Sequence, residues 1–415
     1  MTFAQEADSA SKLVFAPHAE ATPIRLLTFS TLYPNPTQPA HGVFVENRLR
    51  QLVSSGEVIS VVLAPVPWFP LHSPHLGRWA RHAAVPRHEI RHGLAVYHPR
   101  YAVIPRIGMS VAPLLLYRAA VSAVEKLLSD GMQFDLIDAH YLYPDGVAAT
   151  WLGRYFGKPV ALTARGSDVS LLPRYRVPRG LIRKAIEDAD ALISVSTGLR
   201  DGLLELGASA NKVTVLRNGV DLDVFRPSKD RASARAELGL GEGVMLLSAG
   251  HLIERKGHHH IIEALTMLPG HTLLVVGEGP ERGALQELAK RLGVADRVHL
   301  MGACPPHRMP LYFMAADALV LASSREGWAN VLLEAMACGT PVVASPAWGS
   351  REAVSAPEAG LVLGKVSAED IADGVRQLLA SPPTREATRR YAEGFSWNET
   401  TAGQIAVFRR VLGRP

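Results

Sequence analysis

The sequence predicts an α/β protein with two doubly wound parallel sheets, and three observations carry that prediction. Strand-length apolar runs alternate with helix-length segments from Ile24 onward. The alternation breaks at Asn218-Gly-Val-Asp-Leu-Asp-Val-Phe-Arg-Pro227 and then restarts, giving two series. The chain has 415 residues, more than one hydrophobic core ordinarily serves. Strands separated by helices do not form hairpins and imply parallel sheets covered on both faces.

The first series opens with a strand at Ile24–Phe29, a Pro-rich loop holding Gly42, a helix at Val43–Ser54 and a strand at Val58–Leu63. It continues with a strand at 136–137, a helix at 146–156, a strand at 159–163, a helix at 181–188 and strands at 191–195 and 213–216. Residues 228–243 read as a linker with a short helix. The second series has strands at 244–248, 272–276, 298–301, 318–322 and 341–344, with helices at 257–267, 281–292, 309–315 and 331–338 between them. The last helix of that set is Val-Leu-Leu-Glu-Ala-Met-Ala-Cys, all good helix formers but Val331 and Cys338, stopped by Gly339 with Pro341 beyond. Residues 395–410 read as a final helix. The expected organisation is a polar, mobile tail at 1–22, one domain at 23–222, a second at 223–395, and a closing helix at 396–415.

Composition bounds the function. With 47% hydrophobic and 20% charged residues and no low-complexity tract, the chain is expected to be globular rather than disordered. The longest apolar stretch, 58–71, is fourteen residues interrupted by Pro65, Pro67 and Pro70, too short and too broken to span a membrane. Residues 1–22 lack the basic start and apolar centre of an export signal. Cys304 and Cys338 form no CxxC pair, which suits a reducing cytoplasm and argues against a disulfide scaffold or a zinc site. Residues 1–222 hold 23 Lys and Arg against 18 Asp and Glu, whereas the remainder holds 21 of each. The segment 78–118 has seven arginines and Glu89 as its only acid. Such a patch suits an anionic membrane surface or a lipid-linked phosphate acceptor, the alternative being a solvated basic loop. No nucleic-acid motif accompanies it, so no nucleic-acid partner is expected.

The chemistry concentrates in Ser323-Ser-Arg-Glu-Gly-Trp-Ala-Asn-Val-Leu-Leu-Glu-Ala-Met-Ala-Cys-Gly-Thr-Pro341. Two carboxylates, Glu326 and Glu334, bracket the start of a helix lying between two strands, and Gly327 allows a sharp turn. Asn330 is a good capping residue, so the helix is expected to open there. Its first amides would then be free for an anion, favoured also by the helix dipole. The loop Ala249-Gly250-His251-Leu-Ile-Glu-Arg255-Lys256-Gly257 lies between a strand and a helix, at the edge where open α/β sheets bind ligands. Both cations there can reach a diphosphate. His258, His259 and His260 are consecutive and point about 100° apart on a helix, so they cannot converge on one ion and are read as structural; no metal site is expected.

The 323–341 segment resembles the E-x7-E signature of retaining glycosyltransferases of family 4, which have the GT-B fold of two Rossmann-like domains facing across a cleft. The resemblance covers nearly the whole chain except the tail and 78–118. It implies a nucleoside diphosphate sugar as co-substrate, no further cofactor, and a saccharide or lipid-linked acceptor. It implies that Glu334 accepts hydrogen bonds from the nucleotide ribose and that Glu326 lies by the transferred sugar. Lys256 would neutralise the pyrophosphate, and the amides of Val331 and Leu332 would meet the sugar or diphosphate. The family commonly has an arginine where His251 stands, so either Arg255 supplies the second positive charge or His251 only donates a hydrogen bond. Gly277 and Gly279 resemble the loop beside the nucleobase; as a dinucleotide fingerprint the pattern fails, because Arg282 stands where a third glycine is needed. Gly42 resembles the loop glycine that lets the backbone approach the phosphates, or else is a simple turn glycine. His140, Arg165 and Asp168 resemble the acceptor side of the cleft, with Arg165 at a position where histidine is usual. Residues 218–227 resemble the interdomain hinge, and relatives return the last helix to the first domain. The rival readings are a nucleotide-sugar epimerase or hydrolase on the same fold and a noncatalytic saccharide-binding protein; an oxidoreductase lacks its glycine fingerprint.

Overall fold

The computed structural model describes residues 22–68, 78–103 and 108–414, with side chains in the second stretch from 81 onward. All but the last residue of the expected tail lies outside the described residues, as does Arg106 of the basic segment. The first half runs β1 (Ile24–Phe29), α1 (Val43–Ser54), β2 (Val58–Leu63), β3 (Val66–Pro67), α2 (Arg78–Ala84), β4 (His88–Arg91), β5 (Leu94–Tyr97), β6 (Arg100–Tyr101), α3 (Gly108–Ser129), β7 (Leu136–His140), α4 (Val147–Phe156), β8 (Val160–Ala164), α5 (Ser167–Ser170), α6 (Arg176–Asp188), β9 (Ala191–Ser194), α7 (Thr197–Glu205) and β10 (Val213–Val215). The second runs α8 (Arg231–Glu237), β11 (Val244–Ala249), α9 (His258–Ala264), β12 (His271–Val276), α10 (Arg282–Arg291), β13 (Val298–Gly302), α11 (Met309–Ala315), β14 (Ala318–Leu321), α12 (Asn330–Ala337), β15 (Val342–Ala344), α13 (Trp348–Ala353), β16 (Gly360–Val362), α14 (Ala368–Ala380), α15 (Arg385–Glu393) and α16 (Trp397–Val411).

The strands form an eight-stranded sheet in the order β10-β9-β8-β7-β1-β2-β5-β4 and a six-stranded sheet in the order β13-β12-β11-β14-β15-β16. Every recorded pair of neighbours in these sheets is parallel except β4 with β5. In the larger sheet the winding reverses between β1 and β7, and in the smaller between β11 and β14. A crevice opens at such a reversal, beyond the carboxyl ends of the strands, because the two connections leave in opposite directions. The strand ends that frame these crevices carry His140 in the first sheet, and the loops to Lys256 and Glu326 in the second.

Several elements depart from expectation. The 22-residue α3 begins within the basic segment 78–118, taking its last eleven residues; Pro113 within it and an apolar pattern lacking one clear face hide its period. The β4–β5 hairpin turns at His92 (φ 47°) and Gly93 (φ 80°), a two-residue turn with both residues left-handed, which suits the twist of antiparallel strands. Helix α6 begins five residues before the expected 181, with Pro178 in its first turn, where a missing N–H costs nothing.

Apolar burial joins the halves. One continuous buried cluster extends from Leu27 and Phe29 through Leu199 to Trp328, Leu332 and Ala392. Helix α16 crosses back to the first sheet, where Ile405, Val407 and Phe408 pack with Ile24, Leu26 and Leu136. Beneath it lies a closed polar ring. Arg48, 1% exposed, donates from Nε to Gln404 Oε1 (2.5 Å) and from Nη1 to Asn218 Oδ1 (3.2 Å) and the Leu216 carbonyl (3.1 Å). Gln404 donates to Asp138 Oδ2 (3.3 Å), which lies 3.2 Å from His140 Nε2. Arg165 donates to His140 Nδ1 (2.6 Å) and to Asn218 Oδ1 (3.2 Å), completing the circuit.

Burial pushes the Arg48 guanidinium down to about 10, with Asp138 opposing the shift. Removing one partner from a buried charged network leaves the others desolvated without compensation, typically about 3–5 kcal/mol. Arg48→Met is therefore expected to lower unfolding stability by roughly that amount, measured by urea denaturation; a change of less than about 1 kcal/mol would mean that the ring is not structural.

Candidate functional site

The loop after β11 is shaped by glycine. Gly250 (φ 150°) starts it, Glu254 to Lys256 make one 3-10 turn, and Gly257 (φ 69°) starts α9, where a Cβ would stand 2.1 Å from the Ala322 carbonyl. Lys256 folds back so that a Cβ on Gly250 would meet its Cε at 3.6 Å. Its Nζ lies 2.6 Å from Glu326 Oε1, a direct ion pair between the loops that flank the sheet reversal. Arg255 donates to the Arg325 carbonyl at 2.8 Å and stands 3.8 Å from Glu326. His251 is exposed at the start of the same loop. Gly277 and Gly279 are needed for loop packing: a Cβ on the first would lie 1.9 Å from the Gly250 carbonyl oxygen, and on the second 2.3 Å from that of Leu252.

The opening of α12 corrects two expectations. Ala329, not Asn330, is the capping position; Asn330 is the first helical residue and makes no capping bond. Its Oδ1 instead accepts from Asn218 Nδ2 at 3.1 Å, because the hinge amide lies within reach. Leu332 N–H is also taken, donating to the Ala329 carbonyl at 3.0 Å, which leaves the amides of Asn330 and Val331 as the ones without a partner among the described residues. One turn along, Glu334 is half-buried and its carboxylate accepts no hydrogen bond among the described residues. Desolvation raises its carboxyl to about 7. It opens onto a cavity of about 40 Å³ walled also by Asn47, Arg50, Asp221, Asn330 and Trp397. Lys256 is not on that wall.

The first half supplies the opposite wall. Gly42 (φ 70°) precedes α1, and a Cβ there would be 2.2 Å from the Leu32 carbonyl oxygen, so its glycine is a steric requirement of the turn. His140 is buried, and burial lowers its pKa so that the ring is neutral, accepting from Arg165 at Nδ1 and facing Asp138 at Nε2. Arg165 lies over the Phe44 ring (5.3 Å to the centroid), and burial pushes it down to about 9. The Asp168 carboxylate accepts from the N–H groups of Leu142 (2.9 Å), Arg165 (3.1 Å) and Gly166 (2.6 Å), so it shapes the Arg165 loop from within rather than facing the cleft. The two walls touch at Gly327, where a Cβ would lie 2.1 Å from the Arg165 carbonyl oxygen.

Sequence reasoning missed Asn218. It accepts from Arg48 and Arg165, donates to Asn330, and its carbonyl accepts from Trp328 Nε1 at 3.1 Å. Its place in the hinge was visible; its partners, up to 170 residues away, were not. The three histidines diverge: His258 is buried with Nδ1 2.9 Å from Ser248 Oγ, and His260 faces Glu263. A larger hollow, about 920 Å³, opens between α8 and α15. It holds none of these site residues, and Arg235 and Arg389 on its wall are engaged by backbone carbonyls, so the geometry of the sheet reversal outweighs its size.

Residues 42–224 match the family described as Glycosyltransferase Family 4, and residues 230–395 match Glycosyl transferases group 1. TuaC of Bacillus subtilis, named for teichuronic acid biosynthesis, is 30% identical over 333 residues, 79% of this chain and 82% of its own. The chain belongs to the family 4, group 1 glycosyltransferases. Among solved structures, this glycosyltransferase is similar to sucrose-phosphate synthase from Thermosynechococcus elongatus (TM-score 0.77, 20% identity, 95% of this chain and 100% of that one). It is also similar to Anabaena HepE solved with UDP-glucose (TM-score 0.67, 19% identity, 92% and 99%). These likenesses give the glycosyltransferase the GT-B fold.

The raised carboxyl of Glu334 has a pH consequence. The folded form holds a proton that the unfolded chain, at an ordinary 4.5, has released, so stability from this group is present below 4.5 and is lost as pH rises through about 7. Glu334→Gln abolishes that loss. Its melting temperature relative to wild type is expected to climb between about pH 5 and pH 8, measured without nucleotide by differential scanning fluorimetry; a flat difference would show that Glu334 ionises normally.

Proposed function

We propose that this glycosyltransferase moves a hexose from a nucleoside diphosphate sugar to a saccharide or lipid-linked hydroxyl, with retention and without a metal, in polysaccharide or glycoconjugate synthesis at the cytoplasmic face of a membrane. The observation that carries the proposal is the Lys256–Glu326 pair at the reversal of the second sheet, with the unpartnered Glu334 one turn along α12. The bound UDP-glucose of HepE, on the same fold, supports a nucleotide sugar as donor.

In this reading the diphosphate draws Lys256 away from Glu326 and takes the free amides of Asn330 and Val331 as further donors. Glu326, released, accepts from hydroxyls of the sugar. The nucleotide continues past the first turn of α12 to Glu334, whose carboxylate accepts from the ribose hydroxyls. The anomeric C–O bond breaks, and its electron pair goes to the leaving phosphate oxygen beside Lys256. The acceptor oxygen attacks from the same face and its proton passes to that phosphate oxygen. Positive charge growing on the sugar is stabilised by Glu326, while negative charge on the diphosphate is met by Lys256, Arg255 and the amides, so the chemistry balances on this chain's own groups. Neutral His140, held by Arg165, stands on the acceptor side.

A preorganised donor aimed at developing charge contributes about 3–4 kcal/mol, so Lys256→Ala is expected to lower turnover roughly a hundredfold or more; unchanged turnover at saturating donor would exclude Lys256 from that role. Glu334→Ala is expected to weaken nucleotide binding, read by calorimetry, with unaltered affinity counting against the ribose assignment. A thermal-shift screen of nucleoside diphosphate sugars tests the whole proposal, since a donor at 100 times its dissociation constant adds about 2.7 kcal/mol. No shift with any such nucleotide overturns it.

A further inference from the structure

Part of the basic surface that the sequence placed at 78–118 is engaged within the fold, while Arg81, Arg87 and Arg118 are exposed. Arg91 pairs with Glu46 (2.8 Å), and Arg100 donates to the carbonyls of His82 and Val85. A different cluster is free. Between Asp168 and Glu187 the chain carries Arg174, Arg176, Arg179, Arg183 and Lys184 and no acid. Arg174, Arg176 and Arg179 are exposed, and their side chains make no hydrogen bond or ion pair among the described residues. Tyr175 and Val177 stand between them, each 48% exposed.

This cluster follows the loop that carries Arg165 and Asp168 off the end of β8, so it sits on the rim of the first half's side of the cleft. Helices α3 and α6 pack against each other and against the turn 142–146, and the Tyr143 hydroxyl donates to the Met109 carbonyl at the start of α3. Met109 (42%) and Leu114 (40%) are exposed there as well. Unpaired guanidinium groups alternating with a half-exposed aromatic and a β-branched side chain match a lipid interface. The apolar side chains enter below the headgroups while long cationic stems keep their charge at phosphate level. A soluble polyanion would satisfy the arginines and gain nothing from burying Val177.

We infer that Arg174, Tyr175, Arg176, Val177 and Arg179 form a docking surface for an anionic phospholipid membrane, which brings a lipid-linked phosphate acceptor to the rim of the cleft. The acceptor part rests on the functional proposal above; the docking surface does not.

The test is co-sedimentation of the full chain with phosphatidylcholine vesicles, with and without phosphatidylglycerol. Wild type is expected to partition onto the anionic vesicles only. Each arginine near an anionic surface contributes about 1 kcal/mol, so Arg174→Glu, Arg176→Glu and Arg179→Glu together are expected to lower partitioning roughly a hundredfold. Tyr175→Ser with Val177→Ser is expected to weaken it as well, while leaving its dependence on phosphatidylglycerol intact. Both variants are expected to keep the wild-type melting temperature without nucleotide, which verifies folding independently of the donor reading. Equal partitioning onto neutral vesicles, no partitioning of wild type, wild-type partitioning of the triple variant, or retention by soluble heparin as strong as by anionic vesicles overturns the inference.

Discussion

The cleft depends on one amide. Asn218, where the chain crosses from one sheet to the other, gathers two buried guanidinium groups of the first half on its Oδ1, and through Nδ2 and its carbonyl it holds Asn330 and Trp328 of the second. Arg48 and Arg165 are both buried enough to be pushed well below the ordinary arginine range, and Asp138 is the carboxylate in their ring. Burying such charge is tolerated only where hydrogen bonds satisfy it and fix its geometry. The consequence is positional: the opening of α12, with its two free amides, is held against the Arg165 loop, and Gly327 lets the two backbones meet.

Around that hub the fold divides the chemistry sensibly. The second sheet reverses between β11 and β14, and the two loops leaving that point carry the opposite charges, Lys256 and Glu326, which neutralise each other. The first sheet reverses between β1 and β7 and presents a neutral histidine within a positively charged surround. In the proposed reaction the diphosphate belongs to the crevice of the second sheet and the acceptor hydroxyl to that of the first. The pairing of Lys256 with Glu326 keeps the lysine from lying unpaired in the crevice.

Much of the fold was legible because the period of a parallel sheet is local. Apolar runs such as 318–321 and 342–344 announce strands, and Gly339 ends α12 where its sequence says it should. The loop 250–257 and the segment 323–341 stood out for the same reason: their residue types and spacings lie within one turn of each other. What escaped was set by distant partners. Arg48 meets Gln404 across 356 positions, and Asn330 was expected to cap its helix because nothing local revealed Asn218 beside it. The internal pairing of the basic segment was hidden in the same way, since counting arginines does not show that Arg91 is matched by Glu46, 45 residues earlier. Helix α3 was lost because Pro113 and a diffuse apolar pattern broke its period.

The central claim is that the diphosphate binds between the β11 and β14 loops and that the nucleotide then passes the first turn of α12. The most direct measurement is a crystal structure of the full chain with a nucleoside diphosphate. The account predicts the diphosphate within hydrogen-bond distance of Lys256 Nζ, with the lysine drawn off Glu326 and the ribose hydroxyls on the Glu334 carboxylate. A nucleotide seated in the hollow between α8 and α15, with the Lys256–Glu326 pair intact, would contradict it.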